Sequence, residues 1–289
     1  MREVTGKSVV CGLIGNPVAH TLSPAIHNTL SELLHKELVY VPFPVDNDQV
    51  GQSISGAYAL HIRGLNVTVP HKSAVIPYLS GIDPLAEKIG AVNTLVYTEN
   101  GYHGYNTDMP GLYRALVSDG VTVAGREIIL LGAGGAARAA ACLCAEYGAS
   151  HVYILNRTKE KAEALAEELN RAYGKDCMVG MGLSEYQALL GKQYLVIQAT
   201  SIGLSPHNEE VVIDEPEFYQ MVEIGVDLIF NPAETKFMRL SKEAGARTYN
   251  GLKMLLYQGI IAYELWNDIS VSEEMAAHVY ERLKKEAGQ

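Results

Sequence analysis

The chain has 289 residues, of which 48% are hydrophobic and 19% charged, and its formal net charge is −10. This length and apolar content predict one large or two smaller globular domains with a packed core. No basic run is longer than Lys284-Lys285. The acidic balance therefore predicts no nucleic-acid partner, because phosphate binding requires clustered lysines and arginines. A small-molecule ligand is the better expectation, and an anionic one needs local donors to offset the repulsive overall field.

Neither a membrane span nor a secretion signal is expected. No run of about eighteen apolar residues occurs, and residues 1–7 lack the apolar stretch of a signal peptide. The histidines share no helical face with carboxylates at ligand spacing, so no metal site is predicted. We expect a cytoplasmic protein. Four cysteines have neither zinc-site nor disulfide-framework spacing and are interpreted as reduced packing residues: Cys11, Cys142, Cys144 and Cys177.

Strand and helix patterns alternate along most of the chain, which is typical of parallel sheets with crossover helices. In the first part, a helix is predicted to open at Ser23-Pro24 and to continue to about residue 34. Asn100-Gly101 has the signal of a hairpin turn between residues 92–97 and 102–105. The strands predicted here cover residues 9–14, 38–43, 65–69 and 91–97.

The second part has the rhythm of a nucleotide-binding fold. Helices are predicted over residues 109–118 and 159–173, and two more close the chain at 251–266 and 272–285. The strands predicted here cover residues 127–131, 151–155, 194–198 and 224–229.

A glycine-rich loop follows the strand 127–131. Gly132, Gly134 and Ala137 have the spacing that lets a backbone turn tightly and bring a helix N-terminus against a pyrophosphate. The same pattern also fits a turn at a helix start that binds nothing.

The next strand is followed by Arg157 rather than by a carboxylate. A carboxylate at that place would bind the ribose 2′-hydroxyl of NAD, whereas Arg157, with Lys159 and Lys161 close behind, offers positive charge to a 2′-phosphate. NADP is therefore the predicted cofactor. The alternative is that these lysines only form the solvated face of a helix.

Three polar residues lie in the β-patterned segment 64–72 at positions where folding does not require a polar side chain: Asn66, Thr68 and Lys72. A lysine after a proline is most often a solvated loop residue. Motifs elsewhere in the chain favour a second interpretation of Lys72.

The chain resembles the shikimate dehydrogenase family over nearly its whole length. The most specific segments are Asn-x-Thr-x-Pro-x-Lys at 66–72, Ala-Val-Asn-Thr at 91–94 and Asn-Thr-Asp at 106–108. Other segments agree in order and spacing: 15–24, 132–137, 156–158 and 257–259.

This resemblance implies an α/β fold of two domains and the reversible reduction of 3-dehydroshikimate to shikimate by NADPH, in aromatic amino-acid biosynthesis. An N-terminal α/β substrate domain, residues 1–107, would be completed by C-terminal helices, residues 253–289. A Rossmann-type NADP-binding domain, residues 108–252, would be inserted between them. The protein would act as a monomer or a homodimer.

The resemblance also implies roles for individual residues. Lys72 and Asp108 would be the catalytic pair. The residues implied to bind substrate are Thr21, Ser23, Asn66, Thr68, Asn93, Asp108 and Gln258. Those implied to bind cofactor are Gly132, Ala133, Gly134, Gly135, Ala136, Asn156, Arg157, Thr158, Lys161, Thr200, Leu228 and Gly251.

Simple structural roles compete with two of these assignments. Ser23 is also a candidate helix N-cap, and the alternative role of Asn93 is a purely structural one, hydrogen bonding to turn backbone. Lys72 suits the proposed chemistry because hydride addition to a ketone creates alkoxide character that a proton donor must stabilise.

Several positions depart from the family pattern: Thr21, Phe230, Gln198, Asn250 and Lys253. The extra methyl group of Thr21 bears on discrimination between shikimate and quinate, so a dual quinate and shikimate dehydrogenase is the alternative function. A catalytically silent nucleotide-binding subunit is a third possibility, against which the presence of both Lys72 and Asp108 argues.

Overall fold

Two six-stranded sheets form the frame of the protein in a computed structural model that describes residues 4–289. The described residues up to 111, together with 255–289, form a first unit, and residues 112–254 form a second. The sequence predicted boundaries at 107/108 and 252/253, whereas these divisions fall inside two helices. Within residues 4–289, no helix combines the length and apolarity needed to cross a bilayer.

The elements before the second unit run from a first strand to the helix in which the second unit begins. They are β1 (Val9–Gly15), α1 (Ser23–Leu33), β2 (Leu38–Pro44), α2 (Val50–Ala59), β3 (Gly64–Val67), β4 (Gly81–Ile82), α3 (Pro84–Ile89), β5 (Thr94–Thr98), β6 (Gly101–Tyr105) and α4 (Asp108–Ser118).

The remaining elements alternate strand and helix before two closing helices. They are β7 (Glu127–Leu131), α5 (Gly135–Glu146), β8 (His151–Asn156), α6 (Lys159–Tyr173), β9 (Met178–Gly182), β10 (Tyr194–Gln198), α7 (Pro216–Tyr219), β11 (Val222–Asp227), α8 (Lys236–Glu243), β12 (Arg247–Tyr249), α9 (Leu252–Asn267) and α10 (Glu273–Glu286). Short 3-10 helices lie at Asn47–Gln49, Ile76–Tyr78 and Leu183–Leu189.

The first sheet has the order β2-β1-β3-β5-β6-β4 and is mixed. β1 pairs in parallel with β2 and β3, but β5 runs antiparallel to both β3 and β6. The alternation of patterns had predicted parallel sheets, and the β5–β6 hairpin is the exception. Its turn lies at the predicted Asn100-Gly101.

This inversion brings four chain segments to one edge of the first sheet. The carboxyl ends of the parallel strands β1 and β3 lie at that edge. Because β5 runs the other way, its beginning lies there too, and so does the end of β6, which is antiparallel to β5. The segments that follow β1 and β3, precede β5 and follow β6 therefore converge.

The second sheet is parallel throughout, with the order β12-β11-β10-β7-β8-β9. The chain moves outward from β7 to β8 and β9, then returns to the other side of β7 for β10. Neighbouring strands β7 and β10 thus lead into connections that leave in opposite directions. Ligands bind at such a switch point in doubly wound sheets.

Several local predictions differ from the structure. The strand predicted over 65–69 ends at Val67, the one predicted over 91–97 begins only at Thr94, and the one predicted over 224–229 spans Val222–Asp227. Ser23 does not cap α1: Leu22 is the N-cap, no side chain caps the helix, and Ser23 is its first residue. The proposed capping role is therefore wrong: the backbone N–H of Ala25 donates to Leu22 O, so the first turn begins one residue earlier, and the Ser23 hydroxyl accepts from Thr21 Oγ1 instead.

Each unit has an apolar core of its own. Ile14, Leu65 and Leu95 belong to the core of the first unit, and Ile129, Val196 and Phe218 to that of the second. The first core lies against the β1–β3–β5 strands, so the edge residues project from a rigid support.

A buried carboxylate closes the end of β11. Asp227 is fully buried and accepts hydrogen bonds from Thr235 Oγ1 at 2.6 Å, from the backbone N–H of Ile229 at 3.0 Å and from Gln198 Nε2 at 3.2 Å. Burial raises the pKa of Asp227 to about 6, although these three donors oppose the shift.

We predict opposite effects on stability for two glycine-to-alanine changes in the first unit. A Cβ at Gly64 would lie 2.1 Å from Trp266 Nε1, which donates to Leu95 O, so Gly64→Ala should lower the free energy of unfolding by about 2–3 kcal/mol. A Cβ at Gly56, inside α2, meets nothing within 4 Å, so Gly56→Ala should raise it by about 0.5–1 kcal/mol. Urea denaturation measures both, and equal effects would contradict the packing argument.

The pKa of Asp227 predicts a pH dependence of stability. Its folded pKa of about 6 exceeds the ordinary 3.8, so the native state binds the extra proton between these values and stability falls as pH rises through them. The loss is complete above pH 6 and amounts to about 3 kcal/mol at most. Asp227→Asn should lack this fall in urea denaturation between pH 4 and 7, whereas Asp176→Asn, at an exposed site, should retain it. Parallel curves for Asp227→Asn and the parent would contradict the prediction.

Candidate active site

Lys72 and Asp108 form an ion pair at the convergent edge of the first sheet. Lys72 Nζ lies 2.6 Å from Asp108 Oδ2. The lysine side chain is 30% exposed and the aspartate 16%, so the pair is partly shielded from water and its charge-assisted hydrogen bond is stronger than one on an open surface. The two residues that the resemblance pairs are thus in direct contact, and their catalytic role stays a prediction.

Asn93 is hydrogen-bonded to the other oxygen of the Asp108 carboxylate. Its Nδ2 donates to Asp108 Oδ1 at 2.9 Å and to Thr107 Oγ1 at 3.0 Å, and its Oδ1 accepts the backbone N–H of Thr107 at 2.7 Å. Asn106 Oδ1 accepts the backbone N–H of Asp108 at 3.0 Å, where α4 begins. Asn93 therefore satisfies turn backbone, as the alternative interpretation held, and also contacts the carboxylate.

Asn66 extends this hydrogen-bonded cluster into the domain interior. Its Oδ1 accepts from the Tyr40 hydroxyl at 2.8 Å and lies 3.1 Å from His27 Nε2. Its Nδ2 donates to Thr94 Oγ1 at 3.1 Å and to the backbone oxygen of Asn93 at 3.3 Å. Every hydrogen of the Asn66 amide thus has a partner inside the protein.

His27 is a neutral member of the cluster. Burial lowers the pKa of His27 to about 3, and its ring stacks on Tyr40 with the centroids 4.1 Å apart. Because Asn66 Oδ1 can only accept, we assign the ring proton to Nε2. Sequence reasoning missed both His27 and Tyr40. The one available signal was the spacing of Ser23 and His27, one helical turn apart on α1.

The hydroxyls assigned to the substrate carboxylate form a pair. Thr21 Oγ1 donates to Ser23 Oγ at 3.2 Å, and the backbone N–H of Ser23 donates back to Thr21 Oγ1 at the same distance. Burial raises the pKa of the neighbouring Tyr40 well above its ordinary value, although the Ser23 side chain opposes the shift. The two hydroxyls of Thr21 and Ser23 are thus oriented by their contact with each other.

Thr68 and Gln258 are placed less directly. Thr68 follows β3 at the convergent edge, and Gln258 lies on α9 with its Nε2 donating to Leu255 O at 2.8 Å. Among residues 4–289, no hydrogen bond joins the Thr68 hydroxyl or Gln258 to Lys72 or Asp108. The contacts of Thr68 and Gln258 with a ligand stay a prediction.

The glycine loop lies at the switch point of the second sheet. Gly132 has φ +112°, and a Cβ there would come within 2.9 Å of Thr200 Cγ2 in the loop after β10. A Cβ at Gly134 or Gly135 would meet nothing within 4 Å, so the backbone beside Ala133 and Ala136 is open to a ligand. α5 begins there, no side chain of residues 4–289 caps its first N–H groups, and the positive end of its dipole lies at the same place. The loop therefore fits a dinucleotide pyrophosphate.

The cationic residues after β8 fall into two classes. Lys159 Nζ lies 2.8 Å from Glu185 Oε1 and 3.8 Å from Glu163 Oε1, so it belongs to a surface ion-pair group, as the alternative interpretation held. Arg157 and Lys161 are exposed and make no ion pair within the described part of the chain. These two residues remain available to an anionic group.

Two further loops border the cofactor candidates. Asn156 Nδ2 donates to the backbone oxygen of Thr158 at 2.8 Å, which shapes the turn before α6. A Cβ at Gly251 would lie 2.1 Å from Leu228 O, so only glycine permits this approach of backbone to backbone. The predicted cofactor residues Leu228 and Gly251 are thus in contact.

Most departures from the family pattern have local partners. Gln198 Nε2 reaches Asp227, and its Oε1 accepts the backbone N–H of Thr200 at 2.5 Å. Asn250 Oδ1 accepts the backbone N–H of Leu252 at 3.1 Å, where α9 begins. Lys253 forms an ion pair with Asp119. Phe230 carries no hydroxyl, and nothing in the structure explains that substitution.

The described residues contain no group of three or more His, Cys, Asp or Glu side chains placed to hold a metal ion. The four cysteines are free thiols, and burial raises the pKa of Cys11 to about 12.

Comparison with known proteins gives consistent matches over the chain. Residues 13–95 match the family described as shikimate dehydrogenase substrate binding domain, and residues 115–251 match shikimate/quinate 5-dehydrogenase. Shikimate dehydrogenase (NADP(+)) of Desulforamulus reducens is 43% identical over 96% of both chains.

Two solved structures are similar over nearly the whole chain. Shikimate 5-dehydrogenase of Listeria monocytogenes, in complex with shikimate and NAD, superposes with a TM-score of 0.89 at 30% identity, covering 97% of this chain and 98% of that one. The enzyme of Thermus thermophilus, in complex with NADP(H) and shikimate, gives 0.83 at 33%, covering 95% and 99%. With these matches and the fold described above, the chain belongs to the shikimate dehydrogenase family.

Proposed function

We propose that this protein catalyses the reversible reduction of 3-dehydroshikimate to shikimate with NADPH. The observation that carries the proposal is the ion pair between Lys72 and Asp108 at an edge where four chain segments bring hydroxyl and amide groups together. The free cysteines fit the reducing cytoplasm, where we expect the enzyme to act as a monomer or homodimer.

Lys72 supplies the electrostatic part of the reaction. Bound NADPH supplies the hydride that adds to the substrate carbonyl carbon. Negative charge then develops on the carbonyl oxygen, where the Lys72 ammonium stabilises it and donates the proton that completes the alcohol. In the reverse direction the same nitrogen accepts the hydroxyl proton. Asp108 holds the ammonium in place through its Oδ2.

The proposed substrate contacts divide by chemistry. Thr21 and Ser23 hold the carboxylate, and Thr68, Gln258 and Asp108 hold ring oxygens. A polyol is recognised when each of its hydroxyls meets a partner, because a wrong ligand leaves buried groups unpaired.

Asn66 and Asn93 belong to the proposed substrate set in a different way. The amide hydrogens of both residues already have protein partners. Their contribution is to hold neighbouring groups in position before the substrate arrives.

The proposed cofactor residues lie in the second unit. The pyrophosphate is assigned to the backbone from Gly132 to Ala136, and the adenosine 2′-phosphate to Arg157 and Lys161. Thr200, Leu228 and Gly251 complete the proposed cofactor set, with Asn156 and Thr158 shaping the turn that carries Arg157.

A dual quinate and shikimate dehydrogenase is the second candidate. The family description that matches residues 115–251 includes quinate, and Thr21 carries a methyl group beside the proposed carboxylate site. Assays of the purified protein with shikimate or quinate, each with NADP or NAD, distinguish the candidates by the absorbance of the reduced nicotinamide. Activity with neither substrate would contradict both.

Removing the ammonium should abolish turnover without disturbing cofactor binding. We expect Lys72→Ala to lower kcat by about 100-fold or more, because the developing oxyanion loses its proton donor. NADPH binding, measured by fluorescence titration, should be unchanged. Lys36→Ala, at an exposed lysine of the same unit, is the control and should retain full activity. Near-normal turnover of Lys72→Ala would remove this lysine from the mechanism.

Reversing the charge at residue 157 should change the cofactor preference. Arg157→Asp removes a cationic partner of the 2′-phosphate and adds repulsion, so KM for NADPH should rise by about tenfold or more while KM for NADH changes little. Arg171→Asp, at an exposed site near the other end of α6, makes the same change in net charge and should leave the ratio unaltered. An unchanged NADPH/NADH ratio in Arg157→Asp would place phosphate recognition elsewhere.

A further inference from the structure

Two buried threonines lie between Asn66 and the Lys72–Asp108 pair, and neither has been assigned a role so far. Thr94 is fully buried at the start of β5, and Thr107 is 1% exposed just before α4. Their hydroxyl oxygens are 3.3 Å apart, and both lie against the side chain of Asn93. Buried hydroxyls must place their hydrogens on acceptors, so the direction of each hydrogen bond can be worked out.

The direction starts at Asn66. Its Nδ2 donates to Thr94 Oγ1, so the Thr94 hydroxyl must direct its own hydrogen elsewhere. Asn93 Oδ1 is an acceptor 3.1 Å away. Asn93 Nδ2 in turn donates to Thr107 Oγ1, whose own hydrogen has acceptors in Asn93 Oδ1 at 3.2 Å and Thr94 Oγ1 at 3.3 Å. With this assignment every hydroxyl and amide hydrogen of the four side chains has an acceptor.

A carboxamide can bind in two orientations that differ by exchange of its oxygen and nitrogen. If Asn93 were reversed, its Nδ2 would face the backbone N–H of Thr107, donor against donor, and the two threonine hydroxyls would lose the amide oxygen as their acceptor. Its Oδ1 would then face the Asp108 carboxylate, oxygen against oxygen. The observed orientation instead delivers an N–H to Asp108 Oδ1 at 2.9 Å and leaves Oδ2 to Lys72.

We propose that Thr94 and Thr107 are positioning residues whose hydroxyls hold the Asn93 amide in its observed orientation and thereby hold Asp108 in register with Lys72. The inference rests on the proposed function, because it assigns the Lys72–Asp108 pair to catalysis. Neither hydroxyl contacts substrate or cofactor in this scheme. Their effect reaches the reaction only through Asn93 and Asp108.

The test replaces each hydroxyl with a methyl group of similar volume. Thr94→Val and Thr107→Val should each lower kcat for shikimate oxidation by about tenfold, the equivalent of one buried hydrogen bond, while KM for shikimate changes by less than about twofold. Thr94→Ser and Thr107→Ser retain the hydroxyl and should restore kcat. The double valine variant should lose less than the product of the single losses, because both hydroxyls act on the same amide.

Thr98→Val is the matched control. Thr98 lies on the same strand, and its hydroxyl donates to Gly101 O at 2.7 Å outside the cluster. Thermal melts compare folding among all variants, and if a valine variant does not fold, the alanine variant at the same position replaces it. The inference is overturned if the Thr94 and Thr107 variants keep kcat within about twofold of Thr98→Val, if only KM changes, or if serine does not restore kcat.

Lys72→Ala assayed in parallel separates this inference from the proposed function. Loss of activity in Lys72→Ala together with normal kcat in both valine variants rejects the positioning role alone. Retained activity in Lys72→Ala rejects the assignment of the catalytic pair and, with it, the positioning inference.

Discussion

The ion pair between Lys72 and Asp108 joins two segments that are 36 residues apart in the chain. The order and direction of the strands in the first sheet bring these two segments together. An ammonium and a carboxylate that are both partly withdrawn from water require one another, since either alone would lose hydration without compensation. The pair is possible because β5 runs against β3, so that the loop after β3 and the turn after β6 reach the same edge. A sheet with β5 parallel to β3 would place the beginning of β5 at the opposite edge.

Three elements of the second unit were predicted with the bounds that the structure shows, although β9, α7, α8 and β12 were not predicted. The strands 127–131 and 194–198 and the helix 159–173 have the predicted bounds, because each is a continuous apolar or amphipathic run between clear breaks. The first unit contains the inverted hairpin, whose turn could be predicted from Asn100-Gly101 but whose pairing with β3 could not. Strand direction depends on contacts between distant segments, which local patterns do not specify.

The candidate site shows the same division between local and distant information. Lys72 could be noticed because a charged residue at a strand end stands out from an apolar run, whereas its pairing with Asp108 was implied only by the family resemblance. His27, Tyr40, Thr94 and Thr107 could not be noticed, because a threonine at a strand start or a tyrosine within a strand fits the pattern of folding alone. Only the three-dimensional structure reveals that these side chains form one hydrogen-bonded cluster with few unused donors. The N-cap role predicted for Ser23 failed for a related reason, since local preference gave way to its hydrogen bonds with Thr21.

The ion pair between Lys253 and Asp119 brings the beginning and the end of the second unit together. Asp119 lies just after α4 and Lys253 near the start of α9, and the Tyr249 hydroxyl also donates to Asp119 O at 3.3 Å. The point where the chain enters this unit and the point where it leaves are therefore neighbours. Such closely spaced ends are what allow a module to be excised, expressed separately or exchanged between homologous scaffolds with a short graft at each junction.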